Sequence, residues 1–179
     1  MDYVTDYRPH AEAIAELFAS TFSASEGIEE GALIGVLVRR LIAETQSQDL
    51  RVVTAWEEGV LLGGIFLTRL SFADDPRKVF MMAPVAVATA HQGKRVGQRL
   101  IAHGLDLLRQ EAVDIVVTYG DPAFYGRVGF NPVSEAVLPS PQPLNYPQGW
   151  IAQSLTDAPI RPFSGPARCV PAFDDPALW

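Results

Sequence analysis

One stretch of this chain limits its fold more than any other. From Val79 to Val87 the residues run Val-Phe-Met-Met-Ala-Pro-Val-Ala-Val, with no charge anywhere. A strand that is apolar on both of its alternating faces has to be covered on both sides, so this one lies centrally in a sheet. Beyond it come Gly93 and Gly97, and from about Val96 to Glu111 the apolar period becomes helical. Ile101, Leu105 and Leu108 fall on one side, with Arg99, His103, Asp106 and Gln110 on the other. This is the segregation of a helix packed on a sheet. Asp114 to Tyr119, with Ile115, Val116 and Val117, reads as a further short strand ended by Gly120-Asp121-Pro122. Strand, helix, strand in this order predicts a right-handed crossover between parallel strands.

The flanking segments fit around that unit. A short strand-like start precedes a helix over Pro9–Phe22, striped by Ile14, Leu17, Phe18 and Phe22. A second helix is expected over Glu29–Glu44, its inner face set by Leu33, Val36, Leu37 and Leu41 and flanked by Arg40. Leu50–Trp56 and Val60–Phe72 read as strands joined by a hairpin turn at Glu57-Glu58-Gly59. A short helix over Pro122–Arg127 leads through Gly129-Phe130 into another strand. Ten of the 14 prolines lie from Pro132 to Pro176, which favours extended and turn backbone. Trp150, Ile151, Leu155, Phe163, Val170, Phe173 and Trp179 make that segment too apolar for a disordered tail, so it is expected as an irregular layer over the sheet. The fold class is α/β (α+β): a mixed central sheet flanked by helices, with residues 1–179 as a single domain. At 179 residues, such a domain buries roughly 70% of its unfolded surface and needs no covalent staples.

Composition narrows the function. Cys169 is the only cysteine, so no internal disulfide can form and a cysteine-based metal site is not expected. His10, His91 and His103 are widely spaced without ligand-type neighbours, and no metal is expected. The start Met1-Asp2 does not resemble a signal peptide, and Val79 to Ala90 is too short to span a bilayer; a cytoplasmic protein with no membrane partner is expected. A net charge of −7 argues against nucleic acid as a partner. Between Asp75 and Asp106, however, there is no acidic residue, while Arg77, Lys78, Lys94, Arg95 and Arg99 contribute +5. A cationic island in an otherwise anionic chain suits a small anionic ligand.

The turn Gln92-Gly93-Lys94-Arg95-Val96-Gly97 opens the amphipathic helix, where backbone N–H groups without intrahelical partners can meet an anion. Lys94 is followed by Arg95 instead of Ser or Thr, which rules out a P-loop. Two glycines at this spacing do not make the dinucleotide fingerprint. The turn instead resembles the pyrophosphate loop of the GNAT superfamily of acyl-coenzyme A-dependent N-acyltransferases, Gln/Arg-x-x-Gly-x-Gly/Ala after an apolar strand. Arg95 replaces the middle glycine, at roughly 1 kcal/mol or more if φ there is positive. Downstream, Tyr119-Gly120-Asp121-Pro122-Ala123-Phe124-Tyr125-Gly126-Arg127-Val128-Gly129-Phe130 is similar to the family's later motif, with a tyrosine four residues before Gly-Phe, and its wording resembles the YhbS-like acetyltransferases.

The resemblance implies an acetyl-coenzyme A-dependent N-acetyltransferase acting by direct attack of a primary amine, with acetyl-CoA as the co-substrate. The main chain of Val85, Ala86 and Val87 would pair with the pantetheine arm, and one N–H there would bind the thioester oxygen. Gln92, Gly93, Lys94, Arg95, Val96, Gly97 and Gln98 would hold the pyrophosphate, and Tyr125 would protonate or hydrogen-bond the departing sulfur. His91, Glu26, Glu29, Glu30 and Asp121 are open as the base. The acceptor is a small-molecule or peptide amine, and a homodimer is left open. A non-catalytic acyl-CoA-binding module is the alternative, favoured by Arg95 in the glycine position.

Overall fold

The computed structural model describes residues 1–179. Strand β1 (Asp2–Val4) pairs antiparallel with β2 (Leu50–Glu57), with Tyr3 opposite Ala55. Helices α1 (Ala11–Glu26) and α2 (Ile28–Glu44) lie between them in sequence. Pro9 sits in a 3-10 turn over Arg8–His10 just ahead of α1, and α1 continues past Phe22 until Gly27, at φ 105°, breaks the chain before α2. Ile14 and Phe18 of α1 are buried as expected. The inner face of α2 is Ile34, Leu37, Val38 and Leu41, whereas Val36 is 56% exposed. The face is turned because Gly31 lets α2 approach α1 closely: a Cβ there would lie 2.5 Å from Ala19 O.

Strand β3 (Val60–Phe72) follows β2 through a two-residue turn in which Glu58 and Gly59 both have positive φ, 49° and 78°. That is the left-handed pair a tight hairpin requires. Strand β4 (Asp75–Val87) is the central apolar strand, with Val79 to Met82 all buried. Helix α3 (Val96–Gln110) leads to β5 (Ile115–Tyr119), parallel to β4 from Val79–Ile115 to Met81–Val117. Then come α4 (Pro122–Tyr125), β6 (Asn131–Pro132), β7 (Trp150–Ser154) and β8 (Ala167–Arg168). The strand order is β1-β2-β3-β4-β5-β7-β6, with β8 on β3, the mixed, helix-flanked sheet anticipated. The proline-rich third departs from expectation. It supplies β7, which pairs antiparallel with all five residues of β5, from Ile115–Ser154 to Tyr119–Trp150, and holds β6 on its other side. Only the remainder is irregular. No helix is long and apolar enough to cross a membrane.

Tertiary contacts divide the chain into two interleaved compact units: Met1–Leu67 with Pro84–Gly104, and Thr68–Ala83 with Leu105–Trp179. In the first, Phe18 of α1 meets Phe66 edge-on at 5.3 Å on one face of β3, while Ile65, on the other face, lies against Gly104 of α3. In the second, Trp150 and Trp179 meet at 6.0 Å, and each indole N–H reaches a main-chain carbonyl, of Leu138 and Phe173 respectively.

Candidate active site

The first candidate region is the turn ahead of α3. Arg99 N–H reaches Arg95 O at 3.1 Å, the first bond of the helix, whereas the N–H groups from Gly93 to Gln98, in and after the turn over Gln92–Arg95, make no short, well-aligned bond to a main-chain carbonyl. These are the donors a helix start leaves over, and with the helix dipole they favour a negative guest. Gly93 and Arg95 both adopt positive φ, 74° and 62°. For Arg95 this left-handed backbone costs roughly 1 kcal/mol or more, the strain foreseen for a side chain in the glycine position. Gln92 to Arg95 and Arg99 are exposed, and no carboxylate pairs with Lys94, Arg95 or Arg99.

The Gln92 amide donates to Val87 O at 3.0 Å, so it ties the turn back to the end of β4. Arg77 and Lys78, by contrast, have partners of their own. Arg77 grips Asp75 through Nε–Oδ1 at 2.9 Å and Nη2–Oδ2 at 2.6 Å, lies 3.6 Å over the Phe163 ring, and donates to the carbonyls of Arg161 and Pro162. Lys78 Nζ reaches Glu111 O at 3.5 Å. The cations left for an anion are thus Lys94, Arg95 and Arg99.

The second region is the corner that carries Tyr125. Asp121 caps α4 by accepting from Ala123 N–H at 2.9 Å, and Pro122 opens it. Tyr125 ends the helix with its ring laid over Gly120, where a Cβ would come within 2.7 Å of Cε2. Phe124 and Phe130 meet the ring edge-on at 5.0 and 5.8 Å. Burial pushes the phenol up to about 12; a hydrogen bond with Thr118 acts in the opposite direction, and the Asp121 carboxylate adds to the rise. Thr118 is itself buried and donates to Met82 O at 2.7 Å. The β4–β5 ladder ends one residue earlier, at Met81–Val117, and Pro84 beyond it has no N–H to offer. Sequence reasoning passed over Thr118, because a threonine among Ile115, Val116 and Val117 looks like any β-branched strand residue. Among the possible bases, the Asp121 carboxylate is occupied by its capping bond, while Glu26 and Glu29 are exposed at the α1–α2 turn.

The acetyltransferase (GNAT) family model matches residues 11–130 of the chain. The chain belongs to the GNAT family. The uncharacterised N-acetyltransferase YjhQ of Escherichia coli (strain K12) is 32% identical over 147 residues, covering 79% of this chain and 81% of YjhQ. Two GNAT crystal structures share its fold. That of YhbS from Escherichia coli in complex with CoA superposes with a TM-score of 0.80 at 22% identity, covering 97% of this chain and 92% of that one. That of a Brucella melitensis GNAT acetyltransferase in complex with acetyl-CoA gives 0.74 at 24% identity, covering 97% of each. The α3 turn of this chain offers an anion N–H groups without short main-chain partners, three cations with no carboxylate partner, and open space about Gly93, where a Cβ would have no neighbour within 4 Å.

Proposed function

We propose that this GNAT protein transfers an acetyl group from acetyl-CoA to a primary amine by direct attack, without a covalent enzyme intermediate. The observation that carries the reading is the run of unpaired N–H groups from Gly93 to Gln98 at the start of α3. Acetyl-CoA supplies the activated acetyl group. Gly93, Lys94, Arg95, Val96, Gly97 and Gln98 hold its diphosphate, with Lys94 and Arg99 adding charge-assisted bonds and Gln92 bracing the turn. The main chain of Val85 and Ala86 takes the pantetheine arm. Val87 contributes there too, although its carbonyl already accepts from Gln92. One N–H of this strand end donates to the thioester oxygen as negative charge gathers on it, a contribution of roughly 2.7 to 4 kcal/mol in comparable sites.

Tyr125 offers its O–H to the departing sulfur. With the phenol pushed up to about 12 and a thiol near 8.5, complete proton transfer is uphill by about 3.5 units, or about 5 kcal/mol. The phenol therefore acts as a hydrogen-bond donor to the sulfur and keeps its proton. The acceptor is a small-molecule or peptide amine; the acidic balance of the chain, −7 overall, suits a cationic one.

The raised Tyr125 and the strained Arg95 favour a second reading, a GNAT domain that binds acyl-CoA without chemistry. Calorimetry with acetyl-CoA beside thiol release across an amine panel separates the two. Acetyl transfer predicts binding and amine-dependent thiol release, reduced in Tyr125→Phe. Tight binding with no thiol release for any amine would support the binding module.

A further inference from the structure

Gly120 and Gly149 touch. The Gly120 N–H donates to Gly149 O at 3.0 Å, and a Cβ built on Gly149 would lie 2.9 Å from Gly120 O. Each of the two glycines carries a tyrosine ring. Tyr125 lies over Gly120, with Cε2 at 2.7 Å from where a Cβ would stand, and Tyr146 lies over Gly149, with Cδ1 at 2.6 Å and Cε1 at 3.0 Å from the corresponding point. Any larger residue at either position would push its ring away, so the close seat of both tyrosines depends on the glycine pair. Tyr146 is fixed through its backbone as well. Its N–H donates to the Tyr119 hydroxyl at 2.6 Å, its carbonyl accepts from Gly149 N–H at 2.9 Å, and the Tyr119 ring is stacked on Trp179 at 6.1 Å. Gly149 backs the ring of Tyr146, yet the residue is 49% exposed. Ile28, Val36 and Val60, the exposed aliphatic side chains, lie on α2 and at the start of β3; Tyr146 is an exposed ring seated beside the support of Tyr125.

We propose that Tyr146 is a specificity-determining residue for the acceptor: its open ring face takes a second, protonated nitrogen, so that the favoured acceptors are diamines. This rests on the acetyl-transfer reading of the Tyr125 corner. The face of a tyrosine ring is negative and attracts a cation placed over it. The attacking nitrogen is not that cation, because it needs a free lone pair and has shed its proton before it bonds to the acetyl carbon. A second nitrogen in the same molecule keeps its charge at neutral pH, since an alkyl ammonium titrates at about 10.4. A ring already held by its backbone loses little freedom when the cation arrives, and the chain's charge of −7 draws cations toward it. Tyr146 binds and orients the acceptor; it moves no proton.

The test measures thiol release at saturating acetyl-CoA for cadaverine and for n-pentylamine, the same carbon chain without the second nitrogen, in the parent, Tyr146→Phe and Tyr146→Leu proteins. The parent should favour cadaverine by about fivefold in kcat/KM per amino group. Tyr146→Leu should bring that ratio close to one, chiefly through KM for cadaverine, and Tyr146→Phe should keep it. Equal ratios in the parent and Tyr146→Leu overturn the proposal. So does a Tyr146→Phe protein that behaves like Tyr146→Leu, since the hydroxyl and not the ring face would then be responsible. A second measurement needs no turnover. A ring-fluorinated tyrosine at position 146 of the full chain is followed by fluorine NMR as choline, or its uncharged isostere neohexyl alcohol, is added. Choline should shift the signal saturably and bind at least about threefold more tightly than the alcohol; no shift, or equal affinities, overturns the proposal. Choline binding at Tyr146 in a protein that releases thiol with no amine would support the Tyr146 site and overturn the acetyl-transfer reading alone. Thiol release with no preference for the diamine would overturn the Tyr146 proposal alone.

Discussion

At the start of α3, the groups offered to a ligand are main-chain N–H atoms in an exposed turn, whose cations have no carboxylate partners. At the end of α4, the group offered is one phenol, held over Gly120 and edged by Phe124 and Phe130. On the proposed reading the turn binds with its backbone, so individual side chains there should alter affinity by small factors. On the same reading the corner works through a single side chain in a packed setting, so changes there should be large and should fall on turnover or stability. Binding that relies on main-chain donors tolerates substitutions such as Arg95 for glycine; a positioned phenol does not.

The largest effect should come from the aromatic packing in the second unit. Trp179 is 4% exposed, donates its indole N–H to Phe173 O at 2.9 Å, and meets the rings of Tyr119 and Trp150. Trp179→Ala should lower unfolding free energy by about 3–5 kcal/mol, read by denaturant titration; a loss below about 1 kcal/mol would show that this cluster does not hold the unit together.

Next comes the phenol itself. Tyr125→Phe should reduce kcat by roughly 10²-fold and leave KM for acetyl-CoA unchanged. A rise in KM alone would make Tyr125 a binding residue and dissolve the contrast between the two regions. The same variant has an alkaline signature. The folded protein keeps the Tyr125 proton until about pH 12, whereas the unfolded chain releases it near its ordinary value of 10.0. Stability on this account is full below pH 10 and falls as the pH rises from 10 to 12. Tyr125→Phe should therefore retain up to roughly 2 to 3 kcal/mol more than its parent at the top of that range. Cys169, pushed by burial to about 11 from 9.0, acts with the same sign from pH 9 upward, so the comparison belongs in a Cys169→Ala background. Parallel alkaline limbs for the two proteins would contradict the raised phenol.

The strain at Arg95 gives a smaller figure. Arg95→Gly relieves a φ of 62° and should raise stability by about 1 kcal/mol in thermal melts. Its acetyl-CoA affinity should change no more than severalfold, because the N–H row stays in place. Smallest of all, Lys94→Gln should weaken acetyl-CoA binding roughly threefold in calorimetry at low salt, and the difference should shrink as salt is added. A loss of a hundredfold would mean that side chains, not backbone, carry the binding.

Much of this arrangement could be read from residue order. The charge-free run of Val79–Val87, the helical stripe of Ile101, Leu105 and Leu108, and the Glu58-Gly59 turn each obey a local rule, and local rules are visible in one dimension. The tyrosine ahead of Gly129-Phe130 and the glycines ahead of α3 marked the two regions for the same reason. The features that escaped depend on partners far away in sequence. Trp150–Ser154 becomes a strand because β5 offers it a full ladder, despite the prolines around it. Arg77 looked like part of an anion site until Asp75 and Phe163 closed on it. Gln92 braces Val87 O, and Thr118 of β5 ties to Met82 O of β4, 36 residues away in the chain.

The central claim is that the main chain from Gly93 to Gln98 grips the diphosphate of acetyl-CoA. Amide proton–nitrogen spectra of the full chain, recorded while acetyl-CoA is added, test it directly. The account predicts that the six amide protons of Gly93–Gln98 move downfield together as they gain acceptors, saturating at one equivalent. Saturable binding that leaves those six amides where they were would contradict it.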